Sequence, residues 1–196
     1  MPRALRAVAV AALSLSVAAC TSTSLVQLWR NPDYRARPVK RVFVLAEIQN
    51  PAYKTQFENA LAKALDARGF QAATATSVFP PGPLDKFAVA KYIADNGVDL
   101  VIRERLTKKT SVEVVPATVA YGYGWYGGGA VVSSGYVSEE TDVFVETGVF
   151  DARAEPEMLV WVGKSETTNV QGAYDSAQSF TKALVENLVQ AGILVK

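Results

Sequence analysis

The first 20 residues limit what the rest of the chain can fold into. Arg3 and Arg6 precede an uncharged run of 13 residues from Ala7 to Ala19, and Cys20 is the only cysteine of the chain. A positively charged start, a short apolar stretch and small residues before a cut are the parts of a secretory signal peptide. The apolar stretch is too short to cross a bilayer, which takes about 20 residues. The rest of the chain is therefore predicted to be an exported domain that folds without an internal disulfide.

Val17-Ala18-Ala19-Cys20 resembles the lipobox of bacterial lipoproteins. The resemblance implies cleavage between Ala19 and Cys20 and a covalent lipid on Cys20, and no other cofactor is expected. Several acyl chains hold a protein firmly, since each buried CH₂ contributes about 0.8 kcal/mol. Thr21 stands where Asp retains enteric lipoproteins in the inner membrane, which implies the periplasmic side of the outer membrane. An ordinary signal peptide with an incidental cysteine is the alternative.

Residues 20–24 are predicted to form a short lipidated tether, and residues 25–196 a single domain. Removal of residues 1–19 leaves 18 basic and 19 acidic residues, because that segment contains two arginines and no acid. A net charge near zero lacks the basic surface typical of nucleic-acid-binding proteins. No nucleic-acid partner is therefore expected.

An alternation of strands and helices dominates the first half of the domain. Val39–Ile48 is a nearly continuous β-branched run, and Asn50-Pro51 can cap a following helix. A weak strand over Phe70–Ala75, a helix over Leu84–Asn96 and a strand over Val98–Val115 come next. This order is a βαβ pattern, in which crossover helices pack on parallel strands, and it predicts an α/β fold.

The second half changes to an antiparallel pattern. Glu139–Asp151 alternates with period two, and Met158–Val162 follows after a turn-rich link, so the two predict an antiparallel hairpin. A last helix is predicted to end at Gln190, with Phe180 and Leu184 on its buried stripe. The predicted architecture is a mixed sheet of βαβ units followed by this hairpin and a C-terminal helix, with an α+β arrangement as the alternative.

A glycine-rich aromatic segment, residues 117–136, separates the two halves. Its candidate contact residues are Tyr121, Tyr123, Trp125, Tyr126 and Tyr136. Aromatic faces stack on sugars or peptides, and Tyr and Trp also favour membrane interfaces. The segment therefore predicts a loop that binds an envelope protein, peptidoglycan or lipid, and a hairpin tip without a ligand is the alternative.

Several short motifs resemble a proteobacterial family of small lipoproteins that share a domain of unknown function. They are Leu28-Trp29-Arg30-Asn31-Pro32-Asp33-Tyr34, Val42–Leu45, Phe57-Glu58, Gly69-Phe70, Asn96–Ile102 and the hairpin from Phe150 to Trp161. The resemblance covers most of residues 28–163. It implies an α/β domain that faces the periplasm on a lipid anchor, and it supplies no catalytic residue.

The chain contains few of the residue types that enzymes most often use for catalysis. The chain contains no histidine, which removes the commonest general base and most zinc sites. An acylated cysteine cannot act as a nucleophile. No catalytic residue and no metal site are therefore predicted. Gly122, Gly124 and Gly127 neither follow a buried strand nor open a helix, as a dinucleotide motif requires.

Carboxylates leave one enzymatic alternative open. Glu139, Glu140 and Asp142 lie beside the aromatic segment and could pair to cleave a glycan. Neighbouring strand residues point to opposite faces, however, which disfavours a pair. The favoured hypothesis is a non-enzymatic binding or scaffold protein anchored to the membrane by lipid, and a carboxylate-dependent envelope glycan hydrolase is the alternative.

Three consecutive charged residues, Arg103, Glu104 and Arg105, lie on a predicted central strand. One or two of these charged residues can pair in a partly buried network. This network is expected to be structural, since a buried ion pair is more often part of the fold than of a site.

Overall fold

The computed structural model describes residues 21–115, 118–122, 129–133, 136–170 and 172–196, and their side chains outside residues 108–141. The helices are α1 (Pro51–Ala67), α2 (Ala75–Val78), α3 (Lys86–Asp95) and α4 (Ala173–Gln190). The strands are β1 (Ser22–Arg30), β2 (Arg41–Glu47), β3 (Gln71–Thr74), β4 (Leu100–Val115), β5 (Thr118–Gly122), β6 (Gly129–Ser133), β7 (Tyr136–Asp151) and β8 (Met158–Thr168). The predicted cleavage and acylation site at Ala19 and Cys20 lies outside the described residues.

Six strands form one mixed sheet in the order β1-β8-β7-β4-β2-β3. β2 is parallel to both β3 and β4, whereas β4, β7, β8 and β1 are each antiparallel to the next. The parallel half arises from the alternation of strands and helices, and the antiparallel half from the later hairpin. The prediction of an α/β fold with a mixed sheet is confirmed. β5 and β6 form a separate two-stranded sheet.

Local sequence signals set both ends of α1. Asn50 Oδ1 accepts hydrogen bonds from the backbone N–H groups of Ala52 (2.9 Å) and Tyr53 (3.2 Å). Pro51 loses no intrahelical hydrogen bond at the first position of the helix. Past the other end, Gly69 adopts a φ of +84°, which favours glycine because a side chain would be strained there. The helix predicted after Asn50 is confirmed.

α1 and α4 pack side by side on one face of the sheet. Phe57 of α1 and Phe180 of α4 are fully buried, with ring centroids 5.4 Å apart. Below them, β7 contributes its alternate residues Val143, Val145 and Val149. This burial confirms the predicted period-two pattern of β7. The main hydrophobic core of the domain lies between these two helices and the sheet.

α3 covers the opposite face of the sheet over the parallel strands. Phe43 of β2 contacts Tyr92 of α3, with ring centroids 5.3 Å apart, and Phe79, with centroids 6.4 Å apart. At the far edge of the sheet, by contrast, Val26 and Leu28 of β1 are 60% and 57% exposed. The parallel half is therefore packed on both faces, whereas the edge strand β1 exposes apolar residues.

The sheet begins earlier in the chain than the sequence predicts. Ser22 already pairs with Thr168 of β8, and the two hydroxyls lie 3.1 Å apart. The hydroxyls of Thr23 and Thr167 lie 2.8 Å apart. The prediction of a polar tether is therefore wrong from Ser22 onward, because these hydroxyls bond across the strand pair and draw the polar residues into the sheet.

The segment predicted as one aromatic loop, residues 117–136, contains two strands. β5 and β6 pair antiparallel, with Tyr121 opposite Ala130. β7 begins at Tyr136, opposite Val115 of β4. The prediction of a single loop is therefore wrong, because antiparallel pairing overrides the low strand propensity of glycine here. The residues Tyr123, Trp125 and Tyr126 lie outside the described residues.

Candidate functional site

At one end of the sheet, the first residues of β1 lie at the same level as the last residues of β8. β8 is antiparallel to β1, so Ser22 at the start of β1 lies beside Thr168 at the end of β8. β7 is antiparallel to β8, and Val143 pairs there with Thr167. β4 is antiparallel to β7 and leaves the sheet at the same end, past Lys109. We call this end, next in sequence to the predicted acylation site, the anchor end.

Hydrogen bonds fix the first described residues to the anchor end. Thr21 Oγ1 donates to the carbonyl oxygen of Asn169 at 2.8 Å. Thr23 Oγ1 donates to Ser179 Oγ of α4 at 2.9 Å. The residue that follows Cys20 is therefore already bonded to the domain, and the described part of the chain contains no free tether.

β4 and β7 continue beyond the anchor end as a two-stranded hairpin. Residues 136–142 of β7 precede Val143, where pairing with β8 starts, and they pair with β4 as far as Val115 opposite Tyr136. These seven residues, at about 3.3 Å each, extend roughly 20 Å past the sheet. β5 and β6 follow after two further residues on either side. We call residues 110–142 the hairpin arm.

The hairpin arm has a charged base and an uncharged end. Its four carboxylate residues are Glu113, Glu139, Glu140 and Asp142. Residues 114–138 carry no charged side chain, and all five aromatic residues predicted to contact a partner lie among them. Of these five, Tyr121 and Tyr136 have a described backbone. In the sequence, the arm therefore has an uncharged, aromatic segment that is flanked by acidic residues.

Two glutamates are fully buried between α1 and the sheet. Glu58 of α1 accepts hydrogen bonds from the backbone N–H groups of Ala46 (3.0 Å) and Thr76 (2.7 Å), and from the Thr76 hydroxyl. Glu104 of β4 and the Thr147 hydroxyl opposite it make no side-chain hydrogen bond with the described residues. Glu58 therefore ties α1 to β2 and α2, whereas Glu104 is buried without a partner in this part of the chain.

The pKa of Glu104 is raised, and burial is the main cause. Together with the nearby Glu58 carboxylate, it raises the pKa of Glu104 from 4.5 to about 8. The group is therefore mainly neutral at pH 7. Because neither glutamate is exposed to solvent, the pair lies where a substrate has no access, and its role is structural.

The arginines that flank Glu104 lie on the other face of the sheet. Arg103 Nη2 lies 2.6 Å from Glu47 Oε1, and Arg105 Nε lies 3.8 Å from Glu47 Oε2. These exposed pairs contribute about 0–1 kcal/mol. The predicted salt bridges form at Arg103 and Arg105, but these pairs are exposed rather than partly buried. Glu104 takes no part in them, because a strand sends alternate residues to opposite faces. The apolar residues two positions before and after Glu104 were the signal that it faces inward.

A charged cluster fixes the end of the sheet opposite the anchor end. The Asp151 side chain is 2% exposed and bonds Arg153 Nε at 3.0 Å and Arg37 Nη2 at 2.9 Å. Burial acts to raise the pKa of Asp151, but the hydrogen bonds from Arg153 and Arg37 outweigh it and hold the pKa below its usual value. The cluster ties the segment before β2 to the end of β7, and it was not predicted because Arg37 is distant in sequence from Asp151 and Arg153.

An open groove of about 1460 Å³ lies on the α3 side of the sheet. Its walls include Leu45, Glu47, Arg103 and Arg105 from the strands and Val89 from α3. The groove thus combines an apolar wall with exposed charges. It is a second candidate contact surface, which sequence reasoning missed because its walls come from separate segments.

The predicted carboxylates of a glycan hydrolase lie on β7 at the base of the hairpin arm. Glu139 is opposite Val112, and Glu140 is opposite Ser111. The side chains of Glu139 and Glu140 lie outside the described residues, so glycan hydrolysis stays a prediction. Among the described residues, no group of three or more acidic or cysteine side chains is placed to hold a metal ion.

Comparison with solved structures identifies bacterial proteins of the same fold. The PelC dodecamer from Paraburkholderia phytofirmans is similar with a TM-score of 0.50 and 16% identity, over 89% of this chain and 99% of that chain. A variant of that protein in a second crystal form has a TM-score of 0.51, 15% identity and the same coverage. The chain shares the PelC fold. No protein-family model matches the chain, and no curated protein matches it in sequence.

A bacterial lipoprotein is among the more distant structural neighbours. Lipoprotein GNA1162 from Neisseria meningitidis has a TM-score of 0.40 and 16% identity, over 78% of this chain and 96% of that chain. A likeness this distant carries no argument about function. Within the described ranges, none of the helices has both the length and the apolar character needed to span a membrane.

Proposed function

We propose that the chain is a lipid-anchored, non-enzymatic binding or scaffold protein of the bacterial cell envelope. Acylated Cys20 would hold it at the periplasmic side of the outer membrane. The uncharged end of the hairpin arm would contact an envelope partner: a protein, peptidoglycan or lipid.

The short distance in sequence between Cys20 and the sheet carries this proposal. The lipobox-like Val17–Cys20 is separated from Ser22, the first residue of β1, by Thr21 alone. Thr21 is itself bonded to Asn169. A lipid on Cys20 would therefore hold the whole domain against the membrane, and such confinement raises the effective concentration of weak contacts.

Palmitate labelling in a Gram-negative host tests the anchor. The wild-type chain is expected to incorporate label and to migrate with the outer membrane after density separation, whereas Cys20→Ala incorporates none. Ser24→Ala is the matched control, since it changes a nearby side chain that is exposed in β1. Equal label in wild type and Cys20→Ala, or no label in either, would contradict the proposal.

Substitution of Thr21, the residue after Cys20, tests whether the protein is sorted to the outer or the inner membrane. In an enteric host, Thr21→Asp is expected to move the labelled protein to the inner membrane, because Asp at this position retains lipoproteins there. Thr21→Ser keeps a hydroxyl that can bond Asn169 and is expected to leave the protein in the outer membrane. If both variants are recovered in the outer membrane, Thr21 does not determine the sorting of this protein.

Self-association is a further part of the proposal. β1 is an edge strand of the sheet, and Val26, Leu28 and Trp29 on it are 60%, 57% and 42% exposed. An exposed apolar edge can pair with another chain, and PelC, which has the same fold, is a dodecamer. We expect the protein to sediment as an oligomer in mild detergent. Leu28→Lys should shift it to smaller species, whereas Phe87→Lys on α3, at an 86% exposed residue, should not.

A further inference from the structure

The two faces of the sheet differ in how far helices cover them. Among the described residues, α1 and α4 pack side by side on one face, and α3 is the only helix of more than four residues on the other. On that other face, Arg105 of β4, Glu146 of β7 and Lys164 of β8 lie opposite one another and are exposed. None of the described helices therefore covers this part of the sheet.

The open groove runs beside α3 at the border of this uncovered area. Leu45 of β2, Val101 of β4 and Phe150 of β7 form a half-buried apolar floor, and α3 contributes Val89 and Ile93 to a wall. Strands lie about 4.8 Å apart and packed helices roughly 8–10 Å apart, so a second helix beside α3 would lie two strands away, over β4 and β7. The volume of about 1460 Å³ exceeds the roughly 300–1,000 Å³ of a small-molecule pocket. The groove therefore suits one further helix.

Charged residues of opposite sign line the two ends of the groove. Lys54 in the first turn of α1, Lys86 at the start of α3 and Arg105 lie toward the carboxyl end of β2. Neither lysine forms an ion pair within the described part of the chain. At the other end, Glu155 and Glu157 belong to the link between β7 and β8 and are exposed. The groove is thus basic at one end and acidic at the other.

This arrangement of charges specifies the chemistry of a complementary helix. Arg103 and Glu47 also line the groove, but they pair with each other at 2.6 Å and add no net charge. We infer that the groove binds an amphipathic helix of a partner protein, which has an apolar stripe, acidic residues at one end and basic residues at the other. Such helices bind apolar grooves through the stripe, and charge complementarity sets their direction. The inference goes beyond the proposed function, because it depends on neither the lipid on Cys20 nor the hairpin arm.

Two designed peptides of about 18 residues, long enough to form a helix, test the inference. Both have the same leucine stripe and the same composition. In the segregated peptide, the glutamates occupy one half and the lysines the other, whereas in the alternating peptide the two alternate along the chain. Purified lipidated protein in mild detergent is titrated into each fluorescein-labelled peptide, and fluorescence polarisation gives the Kd. Because the composition is the same, detergent takes up both peptides alike, and a difference in affinity reports the groove.

The segregated peptide is expected to bind about tenfold more tightly than the alternating peptide. Lys54→Glu with Lys86→Glu should remove most of this preference, and Lys86→Glu alone, at an exposed residue, should remove part of it. Lys63→Glu with Lys182→Glu, at exposed residues of α1 and α4, is the matched control and should keep the preference. Equal affinities, no binding of either peptide, or an unchanged preference in the Lys54 and Lys86 double variant would overturn the inference. Each of these results would leave the lipid on Cys20 to be tested separately by palmitate labelling.

Discussion

The body of the domain, which comprises the described residues outside 110–142, and the hairpin arm differ in how their strands are paired. In the body, α1 and α4 cover one face of the sheet, and Phe57, Trp161 and Phe180 have no solvent exposure. The arm leaves that sheet as a ladder of two strands. A two-stranded hairpin alone is at best marginally stable in water. The difference teaches that the body has a packed core of its own, whereas the paired strands at residues 110–115 and 136–142 extend past it.

A substitution in the body should have the largest effect on stability. Phe180→Ala removes a fully buried ring beside Phe57, and the cavity should lower the free energy of unfolding by about 3–5 kcal/mol. Urea unfolding measures this loss. Phe87→Ala, at an 86% exposed ring, should change it by about 0.5 kcal/mol or less. Similar losses for both variants would contradict the assignment of the core.

The buried Glu104 should make the free energy of unfolding of the body depend on pH. Its pKa is about 8 in the folded chain against 4.5 as the ordinary value, so the folded state binds more protons between these pH values. The contribution of Glu104 to stability is fully present below pH 4.5 and is lost as the pH rises toward 8. The free energy of unfolding should fall across this window by up to about 1.4 kcal/mol per pH unit.

Glu104→Gln isolates this dependence, since the amide does not titrate. Urea unfolding between pH 5 and about 8 should show a much flatter profile for this variant than for the wild type. Glu47→Gln, on the exposed side of the neighbouring strand, should keep the wild-type slope. The same slope in Glu104→Gln as in the wild type would show that another group is responsible.

Removal of the hairpin arm should have the smallest effect on the body. Residues 110–142 can be replaced by Asn-Gly, a dipeptide suited to a tight hairpin, between the paired Lys109 and Val143. The free energy of unfolding of the body should change by about 1 kcal/mol or less, because no described core residue lies in the arm. Unfolding of the body on removal of the arm would mean that the two regions share a core.

The sequence predicts the body better than the arm, and the reason is physical. Val143, Val145 and Val149 alternate along β7 because one face of that strand is buried. Asn50 and Pro51 mark the start of α1 through local hydrogen bonding. Signals of this kind lie within a few residues of the element that they predict.

The unpredicted features depend on residues that are distant in sequence. Ser22 and Thr23 belong to the sheet because of hydroxyl partners in β8 and α4. The burial of Glu104 could be inferred from strand alternation, but its neighbour Glu58 on another element could not. The position of Ser22 at the end of the sheet from which the hairpin arm extends follows only from the order and directions of β1, β8, β7 and β4.

Neutron reflectometry of the lipidated protein on a supported bilayer tests the central claim most directly, because it locates protein along the membrane normal. The account predicts that the body lies directly on the headgroup layer without an intervening water layer, because Thr21 alone separates Cys20 from β1. The Cys20→Ala variant should leave no protein density at the surface. A lipidated body separated from the bilayer by a water layer would contradict the account.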